Sequence, residues 1–463
     1  MPAGPDAKLP GLGAADTQRP DVAKKRMANE SKSRKLVDDQ QRCIRKYPRN
    51  SKSKQWQGRN RHDQQINSKP EILLGVVVDL SCGPDSGRHG VAYSFHIAEL
   101  YYVFLRQGHV GCREDIYRTQ DGVAGNANMN LDVILDPDSS PDEVRRLGLL
   151  AESYGLHAVW TSNYPSSRDP FISLCPLALA SSTIRLGPLV VTPYEMHPYK
   201  IAKALASLNE LCGGRAQILT GGPTGVNATM GMGFSRMVGR TRECVDIIKG
   251  ANPGEALNYE GDIFQVRGYR PSWATDEPPF IYVGANKKQM VRLATRIADG
   301  LMLGDTTEQR LESSLRLIEE NLESHHRSRD DLRVSCLVAW HVKKDRQLSS
   351  SEARRYLALR GMLDTWFLET FLDEEECRIV DENRGNIFKA YKQKTDKIDG
   401  VPDEIVEKLV NNLSMSGDYE SIAGHIETLR RYRDMGLDEV AFKLHEDQEA
   451  AIRVIGERIL PAL

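Results

Sequence analysis

Asn163-Tyr164, Thr192 through Pro198, Gly221-Gly222, Gly284-Ala285-Asn286 and Gly304 through Thr307 are the stretches of this 463-residue chain whose residue types suit chemistry. Each follows an apolar run. They are small, glycine-rich and hydroxyl-rich, and they hold few acids. Glycine lets backbone approach a flat ring or a phosphate with no Cβ in the way. The turn at Asn286-Lys287-Lys288 opens a helix, and the first N–H groups of a helix attract a dianion. Thr306 and Thr307 add hydroxyl donors. The run Gly221-Gly222-Pro223-Thr224-Gly225 lacks the Gly-Lys-Ser/Thr ending of a P-loop. An ordinary loop and a phosphate cradle both fit it. Ligands clustered at metal spacing do not occur, so no metal is expected.

These stretches need elements to aim them. Eight apolar runs read as strands: Asn130–Asp136, His157–Thr161, Ile184–Val191, Ala216–Thr220, Phe280–Gly284, Leu301–Gly304, Arg333–Val342 and Glu439–Leu444. Helical patterns lie between most of them. Ser140-Pro141-Asp142-Glu143 is a capping box with proline at the first helical position. Val144, Leu147, Ala151 and Tyr154 then share one face, and Gly155 ends the helix. Asp169-Pro170 and His197-Pro198 open two more helices. Strands alternating with helices imply parallel pairing and right-handed crossovers. The fold class is therefore α/β, a single (β/α)8 TIM barrel over 129–463, with an open doubly wound sheet as the alternative. The candidate stretches then fall together at the C-terminal ends of the strands, where barrel enzymes place their sites. The charged, helix-rich stretch 345–415 reads as an excursion packed on the barrel mouth.

Composition divides the chain. Residues 1–70 carry 17 Lys/Arg and 7 Asp/Glu, a net of +10, so the remainder carries −12 within the overall −2. Residues 1–128 read as an N-terminal extension, mostly disordered. Three explanations fit it: a disordered leader, a nucleic-acid-binding tail using Arg45, Lys46, Tyr47 and Trp56, or upstream sequence joined to a shorter protein that starts at Met129. The third is preferred, and nucleic acid is not an expected partner. The longest apolar run, Ile72–Val78, is far short of the ~20 residues of a membrane span, so no membrane partner is expected. Eight cysteines without a Cys-x-x-Cys pair suggest reduced thiols and a cytoplasmic location.

The chain also resembles a known family. The runs Ala158–Tyr164, Arg168–Phe171, Ile184–Pro198, Leu208–Arg215, Gly239–Glu243, Ile281–Asn286, Ala298–Gly300 and Gly436–Val440 resemble the bacterial luciferase-like monooxygenases in order and form. The Thr192–Pro198 stretch is similar to the branch with methylenetetrahydromethanopterin reductases and other deazaflavin (coenzyme F-420) enzymes. The resemblance implies a TIM barrel oxidoreductase, with reduced FMN or the deazaflavin at its mouth, acting on a small-molecule substrate by hydride transfer or oxygen activation. It implies a bulge behind the ring at Leu189–Val190, sometimes a non-proline cis peptide. Thr192, Gly221, Gly222 and Gly284 would lie along the cofactor. Its phosphate would sit at Ala285-Asn286-Lys287 and at Gly304, Thr306 and Thr307. A homodimer is a further expectation.

One departure matters. Many members carry Asp-His where this chain has Asn163-Tyr164, and Asn cannot titrate. The candidates that take over are Tyr164 as a hydroxyl donor, Asn163 as a ligand of a ring carbonyl, and His197 as the nearest histidine. Each has a structural alternative: packing for Tyr164 and helix capping for His197. A barrel that binds flavin without turnover is the non-catalytic alternative.

Overall fold

The computed structural model describes residues 129–360 and 363–463. The extension 1–128 lies outside the described residues. Eight parallel strands close into a barrel in the order β1 (Asn130–Leu135), β2 (Ala158–Ser162), β3 (Arg185–Leu189), β4 (Gln217–Thr220), β7 (Phe280–Gly284), β8 (Gly300–Leu303), β9 (Arg333–Trp340) and β11 (Glu439–Lys443), with β11 pairing back to β1. Two elements were not expected. An antiparallel hairpin, β5 (Leu257–Glu260) and β6 (Gln265–Tyr269), stands between β4 and β7. A two-residue strand, β10 (Ser414–Met415), pairs with Ala339 and Trp340 at the end of β9.

The start and stop signals act as their chemistry requires. Ser140 Oγ accepts the Glu143 N–H at 3.3 Å, and Glu143 Oε2 accepts the Ser140 N–H at 2.7 Å. Gly155 ends that helix at φ 79°, a left-handed conformation that glycine adopts at little cost. Asp169 caps the helix Pro170–Ala180 through the Phe171 and Ile172 N–H groups. Arg215 ties the N-terminal end of the barrel, though not by the ion pairs its charge suggests. Its guanidinium donates to Ser181 and to the Ile184 carbonyl.

Strand alternation sorts side chains between two cores. Ile134, Trp160, Leu189, Leu219, Tyr282, Met302 and Ala441 fill the barrel interior. The opposite set, with Val133, Val159, Ile218 and Val283, packs under the helices. At Gly187 a Cβ would stand 2.1 Å from the Gln217 carbonyl oxygen, so only glycine allows β3 and β4 this close. The N-terminal end of the barrel is plugged by charge. His157 Nδ1 meets Asp132 at 2.8 Å, Tyr282 donates to Glu439 at 3.0 Å, and Arg333 lies 3.7 Å from Glu439. Asp132, His157 and Glu439 are near enough to share a metal ion. The Arg333 guanidinium already supplies the cation there.

The excursion carries the helices Arg346–Tyr356, Thr365–Leu368, Glu374–Glu382, Arg384–Lys392 and Asp403–Leu413. It builds its own apolar cluster around Phe367, Val380 and Leu409. It is tied to the mouth by a buried ion pair, Arg360 to Asp305 at 3.2 Å, and by Arg310 stacked on Trp366 at 4.4 Å. Among the described residues, no helix is long and apolar enough to cross a membrane.

Candidate active site at the barrel mouth

β3 stops at Leu189, and the Leu189–Val190 peptide is cis. The neighbouring strand end holds it. The Asn163 N–H donates to the Leu189 carbonyl at 2.8 Å, and Asn163 Nδ2 donates to the Val190 carbonyl at 3.1 Å. The same amide reaches both carboxylate oxygens of Glu195 at 3.1 and 3.0 Å. Glu195 in turn accepts the Thr192 N–H at 2.6 Å. Burial raises the Glu195 carboxyl above its ordinary value, against these hydrogen bonds. Asn163 therefore spends its amide protons on the bulge, which leaves only its carbonyl for any ring contact. Thr192 is fully buried, and its hydroxyl accepts from Asn227 at 3.4 Å.

Tyr164 sits beside the end of β11, its ring 5.8 Å from Lys443 Nζ. Burial raises its phenol, so it stays protonated near neutrality. His197 is exposed and caps the helix Pro198–Leu211. Its Nδ1 accepts the Tyr199 N–H at 3.1 Å, and its ring packs edge-on against Phe264. That is the capping alternative in full.

Gly221 lies close against Gly284, and Gly222 lies against a residue that lines a cavity. A Cβ on Gly221 would stand 3.3 Å from the Gly284 carbonyl, and one on Gly222 would stand 2.9 Å from Met237 Sδ. Met237 belongs to a cavity of about 720 Å³ lined by Arg236–Gly239 and Lys287–Met290. Two helices begin there, Met237–Gly250 and Lys288–Ile297, and neither has a side-chain cap. By contrast, Ser140, Asp169, His197, Thr224 and Thr307 each cap their own helices. Free N–H groups with Arg236, Lys287 and Lys288 around them make an anion cradle.

The other expected phosphate turn is closed on itself. Gly304 donates its N–H to Asn286 Oδ1 at 2.8 Å. Thr306 donates to the Thr307 carbonyl, and Thr307 caps the helix Glu308–Ser324. Ala285 is buried, and the Asn286 carbonyl accepts from Arg310 at 2.6 Å. These residues support the mouth and offer few free donors.

Four side chains escaped the sequence reading. Lys443 is fully buried and donates to the Leu135 carbonyl at 2.7 Å and to Ser162 Oγ at 2.9 Å. Burial lowers its amine to about 7. His341 and His445 lie with parallel rings 5.2 Å apart. Arg360 reaches in from the excursion to Asp305. Lys443 had a signal: Glu439, Ala441 and Lys443 share one face of β11, and the middle residue is in the interior. His341, His445 and Arg360 had none, because their partners are distant in sequence.

Lys443 yields a pH prediction. Its folded pKa lies below its unfolded value of about 10.4, so charging it disfavours the fold. The penalty is complete below about 7 and fades as pH rises toward 10. Stability should therefore climb across that window. Lys443→Met should flatten the climb and add about 1–3 kcal/mol at neutral pH. Urea titrations at several pH values read both effects.

The comparisons bear on the family and the fold. A family model described as luciferase-like monooxygenase matches residues 123–439. A 5,10-methylenetetrahydromethanopterin reductase of Archaeoglobus fulgidus is 29% identical over 342 residues, covering 71% of this chain and 97% of the relative. A coenzyme F-420-dependent glucose-6-phosphate dehydrogenase of Microbacterium testaceum is 26% identical over 346 residues, covering 70% and 94%. Among solved structures, the coenzyme F-420-dependent tetrahydromethanopterin reductase of Methanopyrus kandleri superposes with a TM-score of 0.61 at 22% identity. It covers 72% of this chain and 99% of that one.

Proposed function

Since this chain belongs to the luciferase-like monooxygenase family, we propose that it is an oxidoreductase that binds the deazaflavin coenzyme F-420 at the barrel mouth and exchanges a hydride with a small organic substrate. The cavity carries the proposal. It holds two uncapped helix N-termini, and Met237 in its wall lies against Gly222. The glucose-6-phosphate dehydrogenase relative favours the deazaflavin over FMN, because its name specifies coenzyme F-420. When bound, the cofactor supplies the hydride donor or acceptor.

The chain's own residues do the rest. Leu189 and Val190 back the ring, held by Asn163. Gly221, Gly222 and Gly284 leave room for the part that joins ring to phosphate. The N–H groups opening the helix at Lys288, with Arg236, hold the phosphate. Asn286, Gly304, Thr306 and Thr307 shape the turn beside it. Tyr164 offers a hydroxyl donor near the substrate. His197 caps its helix and has no part in the chemistry. The catalytic unit is 129–463, with 1–128 outside it.

The test is direct. Full-length chain should quench deazaflavin fluorescence with saturable binding, and Lys288→Glu should weaken that binding at least ~10-fold through lost phosphate attraction. Tighter binding of FMN, with oxygen consumed on reduction, would move the assignment to the oxygen-activating side of the family. Binding of neither would overturn it.

A further inference from the structure

His445 is buried just beyond β11, and neither of its ring nitrogens has a hydrogen-bond partner. A buried polar group left unpaired costs about 1–3 kcal/mol. Its surroundings fix the ring but do not satisfy it. Tyr356 from the excursion stacks on it at 3.9 Å, and His341 lies parallel at 5.2 Å. His341 is itself committed to Glu352 at 2.8 Å, and Glu352 also pairs with Lys343. The nearest acid is Asp136, at the end of β1, whose Oδ2 stands 3.7 Å from His445 Nδ1. Lys443, two residues earlier, points at the ends of β1 and β2.

We propose that His445 is the proton-transfer residue of the oxidoreductase reaction and that Asp136 is its positioning partner, so the Asp-His pair missing at Asn163-Tyr164 is rebuilt from the ends of β1 and β11. The inference rests on the oxidoreductase assignment. Asp136 draws the proton to Nδ1, which leaves the Nε2 lone pair for the substrate. When a substrate alcohol is oxidised, its C–H bond breaks and the pair leaves as hydride to the bound deazaflavin. Its O–H bond breaks and the proton passes to His445 Nε2, and the carbon–oxygen bond becomes a carbonyl. Reduction runs the same transfers backward. Tyr356 covers one face of the ring.

Burial and the charges of Lys443, Arg360 and Lys343 all hold the imidazole neutral. Asp136 opposes them only partly, because burial raises its own carboxyl. A neutral ring keeps a free lone pair at pH 7, while the same burial and charges oppose its protonation, so the proton is held only briefly.

Nitrogen-15 NMR of the full chain tests the pair without turnover. With His445 assigned by His445→Gln, the expected spectrum shows a neutral ring protonated on Nδ1, and Asp136→Asn shifts it toward the other tautomer. An Nε2-protonated ring, or no response to Asp136→Asn, overturns the proposal. Turnover is then tried with isopropanol, glucose 6-phosphate and methylenetetrahydromethanopterin as probes. His445→Gln should slow transfer by ~10²–10⁴-fold with deazaflavin affinity unchanged. An unchanged rate and pH profile would also overturn it. If the chain binds no deazaflavin, the oxidoreductase assignment fails, and the NMR result still decides the Asp136–His445 pair.

Discussion

Gly222→Leu should abolish deazaflavin binding, weakening it by ~100-fold or more, while thermal stability falls by only a few degrees. The new side chain would start 2.9 Å from Met237 Sδ, at the edge of the cavity formed with Lys287–Met290. Met237 is partly exposed and flexible, so the fold can yield. A cofactor occupying the same space cannot. Affinity is a difference between states, and a side chain that fills a ligand's volume costs the complex alone. Fluorescence titration beside a melting curve separates the two effects. A variant that binds normally would place the cofactor elsewhere.

Asn163→Leu is expected to act on fold and function together. It keeps the size of the side chain and removes the amide. The Val190 carbonyl loses its donor, and Glu195 loses two contacts. Orphaning buried groups of this kind costs about 2–4 kcal/mol. The bulge that backs the ring would loosen, so deazaflavin affinity should fall by at least ~10-fold as well. Urea titration and fluorescence quenching measure the two losses. A stable variant with normal affinity would show that Asn163 does not brace the site.

Asn163 also shows why the sequence was only partly legible. Its departure from the common Asp-His pattern was plain at once, and it suggested a ring ligand. Its actual partner is Glu195, 32 residues away, which no local pattern announces. An aspartate at position 163 would face that carboxylate at about 3 Å and repel it, so Asn163 and Glu195 form a matched pair.

The barrel itself was legible because its signals are local. Capping boxes, N1 prolines and Gly155 mark the helices, and period-two apolar runs mark the strands. The missed hairpin over 257–269 has short, largely exposed strands of four and five residues. β10 is two residues long and exists only because β9 runs past β8. The cradle at Lys288 was visible as a helix start. The competing turn at Gly304–Thr307 looked equally suited, and only hydrogen bonding shows that Asn286 already occupies its first donor. Lys443, His445 and Arg360 meet through strand order and the excursion, so their conjunction belongs to tertiary structure.

The central claim is that the mouth of this barrel is a deazaflavin site. Equilibrium titration of the full-length chain with coenzyme F-420, followed by quenching of its fluorescence and run in parallel with FMN, tests it most directly. The account predicts saturable one-to-one binding of the deazaflavin, tighter than FMN and lost in Gly222→Leu. No saturable binding of either cofactor, or binding that Gly222→Leu leaves intact, would contradict it.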